Sequence, residues 1–409
     1  MKPVSQIKVQ KSVLYTALMK TSRTRIEPGM CRALNLPIAY SCFVFSLSGH
    51  REISVCTTDR DMYTDVTIPL LQRSGRFQDF ALHAYELTCM IRQLEDQELC
   101  IVLHPEHAVF RHSFGSFTLP LVHESLDMFF KDRLEMILHR KTDFSLNFQA
   151  SFFHTMLDRL YHYTDFNGLH HVLNGINIHR SAGQIHFVAS EGHRLMRITK
   201  DDTENTLPYS ILIPHKAITI LRRTLPRTGS LSLEYSICKD GYDESPKYMI
   251  RTENFTFYFS PTEGKFPNFN NVIPQISPHV VVLDRMMFAK ALERARMFTG
   301  IGGKLAVKVK DGNMHLMAND KDFGIQSVET LPVEHTGKPF HFGLNTKHVI
   351  EILHSLYCRK VSIQAGAPDR AILVTPDTQP SDCHITTIFM PCLTDEDFEE
   401  LYEKGTYYL

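Results

Sequence analysis

Apolar residues recur along this chain at two spacings, one typical of helices and one typical of strands. Six segments place their apolar residues on one helical face. The stretches between them alternate apolar and polar residues, as half-buried strands do. The pattern therefore predicts an α+β protein, and the six helices are of two kinds that alternate along the chain.

Helices of the first kind carry two adjacent apolar residues and two more four positions later. They are predicted at Ser12 to Arg23, Gln149 to Tyr163 and Asp284 to Phe298. Their apolar residues are Val13, Leu14, Ala17 and Leu18; Phe152, Phe153, Met156 and Leu157; and Met287, Phe288, Ala291 and Leu292. Each set of four covers one face of a helix.

Helices of the second kind begin at Leu82, Ile213 and Leu344, and have an apolar residue at offsets 0, 5, 8 and 12. These residues are Leu82, Leu87, Met90 and Leu94; Ile213, Ile218, Leu221 and Leu225; and Leu344, Val349, Ile352 and Leu356. The starts are equally spaced, because 213 − 82 and 344 − 213 are both 131. A shared pattern at a common spacing indicates a unit repeated three times, although unrelated amphipathic helices also resemble one another.

We therefore predict three similar domains, each with two helices packed on antiparallel sheets. The expected bounds are residues 1–140, 141–274 and 275–393, followed by a tail at 394–409. A length of 409 residues is too great for one compact core and suits two or three domains.

Composition narrows the class of protein. Hydrophobic residues make up 43% and charged residues 22%, as in globular proteins. No run of about 18 apolar residues appears and the amino-terminal stretch is polar, so neither a membrane helix nor a signal peptide is expected. We expect a cytoplasmic protein without a membrane partner.

The cysteines and histidines do not indicate a metal site or an active site. The nine cysteines are scattered singly and form no Cys-x-x-Cys pair, which favours reduced, mostly buried thiols. The 22 histidines lack the helical i, i+4 spacing of a zinc motif, and no Gly-rich phosphate loop or G-x-S-x-G motif occurs. We expect no catalytic residue, no metal and no cofactor.

Charge is unevenly distributed along the chain. The net charge is −1, but the last sixteen residues carry six acids and one lysine, which leaves the remaining body at +4. The tail acids are Asp395, Glu396, Asp397, Glu399, Glu400 and Glu403. The globular part is therefore mildly basic.

Particular motifs resemble the bacterial DNA polymerase III beta subunit, the sliding clamp family. In the middle unit they are Leu173 to Ile176, Ala189 to Leu195, Ile213 to Lys216 and Glu263 to Pro274. The last unit adds Phe342 to Asn345 and Phe389 to Leu393, whereas the first unit matches weakly through Thr57 to Met62. The resemblance covers most of residues 6–393.

The resemblance implies a non-enzymatic processivity factor with the DNA clamp fold. Two copies would join head to tail into a ring around double-stranded DNA, without sequence preference, and a clamp loader would open it. Basic residues on the helices would face the hole and meet phosphates. They are Lys20, Arg23, Arg25, Arg92, Arg222, Arg223, Lys290, Arg294, Arg296 and Lys347.

The resemblance also implies a pocket that takes short peptides from DNA polymerase III and other proteins carrying a clamp-binding motif. Its expected residues are Leu173, Ser190, Gly192, His193, Arg194, Leu195, Pro267, Asn271, Val272, His348, Ile388, Met390 and Pro391. Arg194 would donate to a peptide carbonyl. Asn271, His348 and Cys392 depart from the family pattern, so the preferred partner motif can differ.

Two alternatives stay open. The chain can instead be a clamp-fold paralogue, or a phage or mobile-element clamp, that binds a dedicated partner rather than acting as the main replicative ring. For the acidic tail, we hypothesise that it folds back and competes with partner peptides, against the simpler reading of a disordered or merely packed end.

Overall fold

The computed structural model describes residues 4–124, 126–127, 129, 144–164, 170–202, 210–240, 243–275, 277–335, 337–367 and 370–393, with the backbone alone at 236–240 and 243–246. The predicted domain boundary at residues 140/141 and the tail at 394–409 lie outside these residues. The domain bounds therefore stay predictions.

The six predicted helices are all present. The helices of the described residues are α1 Lys11–Thr21, α2 Pro28–Ala33, α3 Ala84–Gln93, α4 Ala150–Leu160, α5 His215–Thr224, α6 Arg285–Ala295 and α7 Thr346–Ser355. Each helix of the first kind continues into a 3-10 turn, at Ser22–Thr24, Tyr161–Tyr163 and Arg296–Phe298. The short α2 was not predicted, because six residues are too few to show a helical period; it begins with Pro28, a residue well suited to a first helical position.

Most of the predicted apolar positions are buried, four are half-buried and one is exposed; the half-buried ones are Val13, Leu94, Phe152 and Met287. Leu14, Phe153 and Phe288 are at most 1% exposed. Met90, predicted on the buried face of α3, is 41% exposed, so that assignment was wrong. The second helical pattern starts early, because Leu82, Ile213 and Leu344 end strands that lead into the helices.

The strands fall into three sets along the chain. The first set is β1 Ser5–Gln10, β2 Cys42–Gly49, β3 Glu52–Thr58, β4 Met62–Pro69, β5 Gln72–Gly75, β6 Phe80–His83, β7 Glu98–Leu103, β8 His107–His112 and β9 Gly115–Pro120. The second is β10 Phe144–Gln149, β11 Gly175–Ser181, β12 Gln184–Ser190, β13 Arg194–Asp201, β14 Ser210–Pro214, β15 Ser230–Asp240, β16 Asp243–Arg251 and β17 Phe255–Phe259. The third is β18 His279–Asp284, β19 Lys304–Lys310, β20 Asn313–Asp320, β21 Ile325–Pro332, β22 Glu334–His335, β23 Phe340–Asn345, β24 Lys360–Ala365, β25 Ile372–Pro376 and β26 His384–Phe389.

These strands build four antiparallel sheets, two of which pass from one third of the chain into the next. The orders are β5-β1-β7-β8-β9, β10-β15-β16-β17-β4-β3-β2-β6, β14-β11-β12-β13-β26-β25-β24-β18-β22 and β21-β20-β19-β23. In the eight-stranded sheet β17 pairs with β4, with Tyr258 opposite Tyr63. In the nine-stranded sheet β13 pairs with β26, with Leu195 opposite Ile388. The predicted α+β class is confirmed.

The contacts divide the chain into two compact units. The first unit comprises Met1–His154 and Thr219–Pro261 and contains the eight-stranded and five-stranded sheets. Tyr63, Phe129 and Tyr258 meet in one of its core clusters. The second unit comprises Thr155–Ile218 and Thr262–Leu409, and its described residues contain the nine-stranded and four-stranded sheets.

The cysteines are less buried than predicted. Within the described side chains all eight are free, but only Cys31, Cys42 and Cys56 are buried, whereas Cys89 is exposed and the rest are half-buried. Burial raises the pKa of the Cys42 thiol to about 12, so this thiol stays protonated. No helix among the described residues is long and apolar enough to cross a membrane.

Candidate functional site

A tight turn between β12 and β13 forms one end of the candidate site. The Ser190 hydroxyl donates to the Arg194 carbonyl at 2.9 Å and accepts from the Gly192 amide at 3.2 Å. Gly192 has a φ of 97°, in the left-handed region that favours glycine. The sequence Ser-Glu-Gly-His-Arg therefore folds locally into this turn.

The turn is tied to the end of β26. Arg194 pairs with Phe389 in the sheet register, and the Met390 amide donates to the His193 carbonyl at 2.7 Å. Residues about 200 positions apart in the sequence thus lie side by side. The structure brings together the predicted residues Gly192, His193 and Met390.

An apolar cluster lies beside the turn. Its buried members are Val188, Leu195, Leu212, Phe266, Phe269, Ala371 and Ile388, and half-buried Val172, Leu173, Ile273 and Leu373 pack against them. Three residues predicted for the pocket, Leu173, Leu195 and Ile388, are among these. The cluster can supply the apolar wall of a peptide groove.

The segment 263–274 contributes Phe266, Phe269 and Ile273 to this cluster and carries three more predicted residues, while predicted Pro391 follows β26 and is half-buried. Phe266 and Phe269 are buried, whereas Pro267 and Asn271 are exposed and Val272 is 50% exposed. At Gly264, with a φ of 106°, a Cβ atom would lie 2.7 Å from Val172 Cγ1, so this close approach requires glycine. Val272 and the 40% exposed Met390 give the site an accessible apolar rim.

Arg194 is buried rather than open to a groove. Its guanidinium contacts Glu351 at 2.5 Å and Glu191 at 3.4 Å, and donates to the His162 carbonyl at 2.8 Å. It also lies 5.2 Å from the centre of the Tyr163 ring. Partners of this kind offset the cost of burying a charge. These contacts hold Arg194 in place, and its expected hydrogen bond to a bound peptide stays a prediction.

Two histidines form the polar end of the site. The His193 and His348 rings stack with centroids 5.9 Å apart, and His348 Nε2 lies 4.0 Å from a Glu191 carboxylate oxygen. Burial lowers the pKa of His348, and the Glu191 charge opposes that effect. The neutral ring is therefore favoured near neutral pH and can donate or accept a hydrogen bond.

Sequence reasoning missed several residues that hold this site. Glu351 and Ser355 lie on α7, and the Ser355 hydroxyl is 3.1 Å from the hydroxyl of the fully buried Tyr163. Burial raises the pKa of Tyr163 well above its usual range. Only Glu191 had a local signal, since it precedes Arg194 by three residues.

The predicted basic residues are placed unevenly. Arg23 and Arg223 are both exposed, and the pKa of Arg23 is lowered by burial and by the charge of Arg223. Other exposed members are Arg92 on α3, Lys290 on α6, Arg296 after α6 and Lys347 on α7, while Lys20 and Arg222 are half-buried.

Two of the predicted basic residues already bind carboxylates. Arg294 makes two hydrogen bonds with Glu329, at 2.8 and 2.6 Å, and these raise the pKa of Arg294. Arg25 lies 3.1 Å from Glu27. Neutralised guanidinium groups contribute less to phosphate binding than free ones.

Across the described residues, no group of three or more His, Cys, Asp or Glu side chains could hold a metal ion.

Two family models match the chain. The description "DNA polymerase III beta subunit, central domain" matches residues 153–268, and "DNA polymerase III beta subunit, C-terminal domain" matches residues 270–392. Together they cover more than half of the chain, in the order that the resemblance predicts.

A curated relative is similar over the same part of the chain. The beta sliding clamp of Proteus mirabilis is 23% identical over 212 residues, which cover 51% of this chain and 56% of that protein. The chain thus spans little more than half the length of the curated relatives it matches.

Solved structures match nearly the whole chain. The sliding clamp of Pseudomonas aeruginosa bound to griselimycin has a TM-score of 0.82 at 18% identity, over 95% of this chain and 100% of that chain. The polymerase III beta subunit of Thermotoga maritima has a TM-score of 0.80 at 17% identity, over 96% and 100%. These similarities show the fold of all three thirds, including the first.

Proposed function

This chain belongs to the DNA polymerase III beta subunit family, and on that premise we propose that it is a DNA sliding clamp. It would encircle duplex DNA as a non-enzymatic processivity factor in the cytoplasm. The replicative polymerase and other partners would be tethered through the apolar site, and a clamp loader would place the ring on DNA.

The main support is a strand pairing that joins successive thirds of the chain and occurs twice. The first and last thirds each keep one edge strand that corresponds to a paired strand elsewhere. β4 pairs with β17 and β13 pairs with β26. β21 occupies the place in its sheet that β4 and β13 occupy in theirs, and β9 corresponds to β17 and β26; both β9 and β21 are edge strands. A pairing of β21 with β9 of a second copy would repeat the same joint.

The two edges have the character of surfaces that another chain covers. Phe114 beside β9 is 87% exposed, Phe323 beside β21 is 79% exposed, and Val328 within β21 is 43% exposed. Long exposed edges with apolar neighbours promote unwanted pairing unless they are covered. A head-to-tail contact closes into a ring when its rotation closes, here as a homodimer with six similar domains.

Binding of DNA would be electrostatic. Exposed Arg23, Arg223, Lys290, Arg296 and Lys347 lie on or beside helices. Lysine and arginine side chains that meet phosphates bind duplex DNA without reading its bases, and the affinity falls with salt. This property suits a ring that must slide along any sequence.

The peptide site would take short partner segments with bulky apolar side chains. Leu173, Leu195 and Ile388 form part of an apolar wall, and Val272 and Met390 add exposed apolar surface. His193 and His348 supply ring nitrogens at one end. Few polar groups and several apolar anchors are the usual arrangement of a peptide groove.

The deciding experiment compares retention on a circular plasmid with retention on the same plasmid after linearisation, following loading by a compatible clamp loader. A sliding clamp stays on the circle and is lost from the linear ends. A Phe323→Asp variant, in which the joint is disrupted, serves as the control and should be retained on neither. Equal retention of the unchanged protein on both forms would instead favour a clamp-fold paralogue that binds a dedicated partner.

A further inference from the structure

The same backbone hydrogen bond occurs at the end of each of the three repeats. We call the residue that donates it the exit. The Val122 amide donates to the Ala81 carbonyl at 3.0 Å, Thr262 to Leu212 at 3.2 Å, and Cys392 to Gly343 at 3.0 Å. The acceptors are equally spaced, since 212 − 81 and 343 − 212 are both 131. The first two exits lead into linkers, and the third leads into residues 394–409.

After the first two exits the chain packs apolar residues onto the adjacent sheet. Leu126 and Phe129 follow the exit at Val122 by four and seven residues and join one core cluster. Phe266 and Phe269 follow the exit at Thr262 by the same intervals and join another. In both linkers, therefore, the residues that follow this hydrogen bond cover the face of a sheet.

The sheet next to the third exit has a face that carries basic residues. Residues directly opposite each other in a sheet share one face. Lys308 on β19 stands opposite His315 on β20 and His341 on β23, and Ala306 stands opposite Met317 and Gly343. This face, defined here as the outer β19 face, also includes Lys304 and Lys310, which alternate with the buried Leu305, Val307 and Val309.

The outer β19 face is basic where the tail begins. Cys392 forms a β-bridge with Gly343. Burial raises the pKa of the Cys392 thiol, and the charge of Lys304 opposes this effect. Lys304, Lys308 and Lys310 all lie on this face, and Lys310 pairs with Asp311 at 3.6 Å. The pKa of His315 is lowered by burial and by the charge of Lys308, and the charge of Asp311 opposes this effect. Met317 is 4% exposed, but Val328, which stands opposite it on β21, is 43% exposed and gives this face accessible apolar surface.

The tail has the opposite charge and an apolar pair with the same three-residue separation as in the linkers, although it begins two residues later, because Phe398 and Leu401 follow Cys392 by six and nine residues. Residues 394–409 carry six acids and one lysine, a net charge of −5. Phe398 and Leu401 stand three residues apart, as do Leu126 and Phe129, and Phe266 and Phe269. Sixteen residues provide ample length to cross a four-stranded sheet, whose strands lie about 5 Å apart.

We propose that residues 394–409 act as a third linker-like segment that docks on the outer β19 face, with its acids against Lys304 and Lys308 and its apolar residues toward Val328. Because β21 is the edge of this same sheet, the docked tail lies on the sheet through which the proposed ring closes. That consequence rests on the proposed function, whereas the docking itself does not.

Hydrogen exchange of the full-length protein, read by mass spectrometry, tests the docking without DNA. We expect amides of residues 394–403 to be protected at low salt, and to lose at least tenfold in protection at about 0.5 M salt, where charges are screened. The Lys304→Glu/Lys308→Glu variant should lose the same protection. A second variant, Asp395→Asn/Glu396→Gln/Asp397→Asn, should do so without any change in the sheet.

The matched control is Val272→Asp, which alters the peptide site and should leave tail protection unchanged. Exchange of the β19 and β20 amides reports whether the lysine variant keeps its fold. Tail amides that exchange at the rate of a free peptide in the unchanged protein would overturn the proposal. So would protection that survives both charge variants, or that disappears only in Val272→Asp, which would place the tail in the peptide site. None of these outcomes bears on retention on circular DNA.

Discussion

The guanidinium of Arg194 and the carboxylate of Glu351 form an ion pair at 2.5 Å that joins the β12–β13 turn to helix α7. The Arg194 side chain is 6% exposed and that of Glu351 is 28% exposed. The pair therefore fixes the position of His193 and of the carbonyl to which Met390 donates, and hence the shape of the proposed peptide site.

Removing the charge of Glu351 should destabilise this arrangement. In Glu351→Gln, Arg194 keeps Glu191 and two carbonyls but loses its shortest contact, so the free energy of unfolding should fall by roughly 1–3 kcal/mol. Urea denaturation measures this loss. Glu293→Gln is the control, because Glu293 forms only an exposed pair with His354 and should change stability by less than about 0.5 kcal/mol. Equal effects of the two variants would contradict the structural role of the pair.

Acid should weaken the second unit through His186. Burial lowers the pKa of His186 to about 4, with smaller effects from the charges of Arg197 and His179. In the unfolded chain the ring takes up a proton near pH 6.5, whereas the folded ring does so only near pH 4. The stability it contributes is present above pH 6.5 and is lost as the pH falls toward 4, by up to about 3 kcal/mol.

Urea denaturation at several pH values between 7 and 4 measures this dependence. His186→Thr should flatten the curve relative to the unchanged protein, since the difference between the two curves removes the contribution of the carboxylates. His123→Gln is the control because His123 is exposed. An unchanged pH dependence in His186→Thr would show that this ring is not responsible.

Charge placed at the β21 end should open the proposed joint. Phe323 is 79% exposed beside β21, so Phe323→Asp should cost little in the isolated chain but should disfavour an apolar contact with a second copy. Light scattering after size exclusion should give about twice the 47.1 kDa chain mass for the unchanged protein and the chain mass for the variant. Tyr357→Asp, at another exposed aromatic residue, should stay dimeric. A Phe323→Asp variant that remains dimeric would place the joint elsewhere.

Neighbouring arginines should contribute unequally to DNA binding. Arg294 is neutralised by Glu329, whereas exposed Arg296 forms no ion pair with a carboxylate within the described residues. Arg296→Ala should weaken binding to duplex DNA several-fold and reduce its salt dependence, while Arg294→Ala should have a smaller effect. Fluorescence anisotropy at two salt concentrations measures both. A larger effect of Arg294→Ala would mean that its pair with Glu329 opens on DNA.

Local patterns in the sequence were enough for the helices and for the repeat. The 3.6-residue period predicts which side of a helix is apolar, and Leu14, Phe153 and Phe288 on that side are buried because an apolar face packs against the core. The Ser190–Arg194 turn is also local, since glycine supplies the positive φ and serine the hydrogen bonds.

Only the tertiary structure decided which distant residues share a site. From the sequence, Arg194 is predicted to be an available hydrogen-bond donor. Its ion pair with Glu351, which lies 157 positions later (351 − 194), cannot be predicted from any local pattern. Met90 is exposed despite its apolar periodicity, because periodicity records the residues of one helix and not what packs against it.

The sequence by itself thus determined the fold class, the repeat of 131 residues and the positions of the helices, because each depends on short-range periodicity. The tertiary structure decided that sheets pass between the thirds, that Arg194 is buried against Glu351, and that several basic residues share the outer β19 face. These follow from strand register and buried charge pairing, which bring together residues that no local pattern relates.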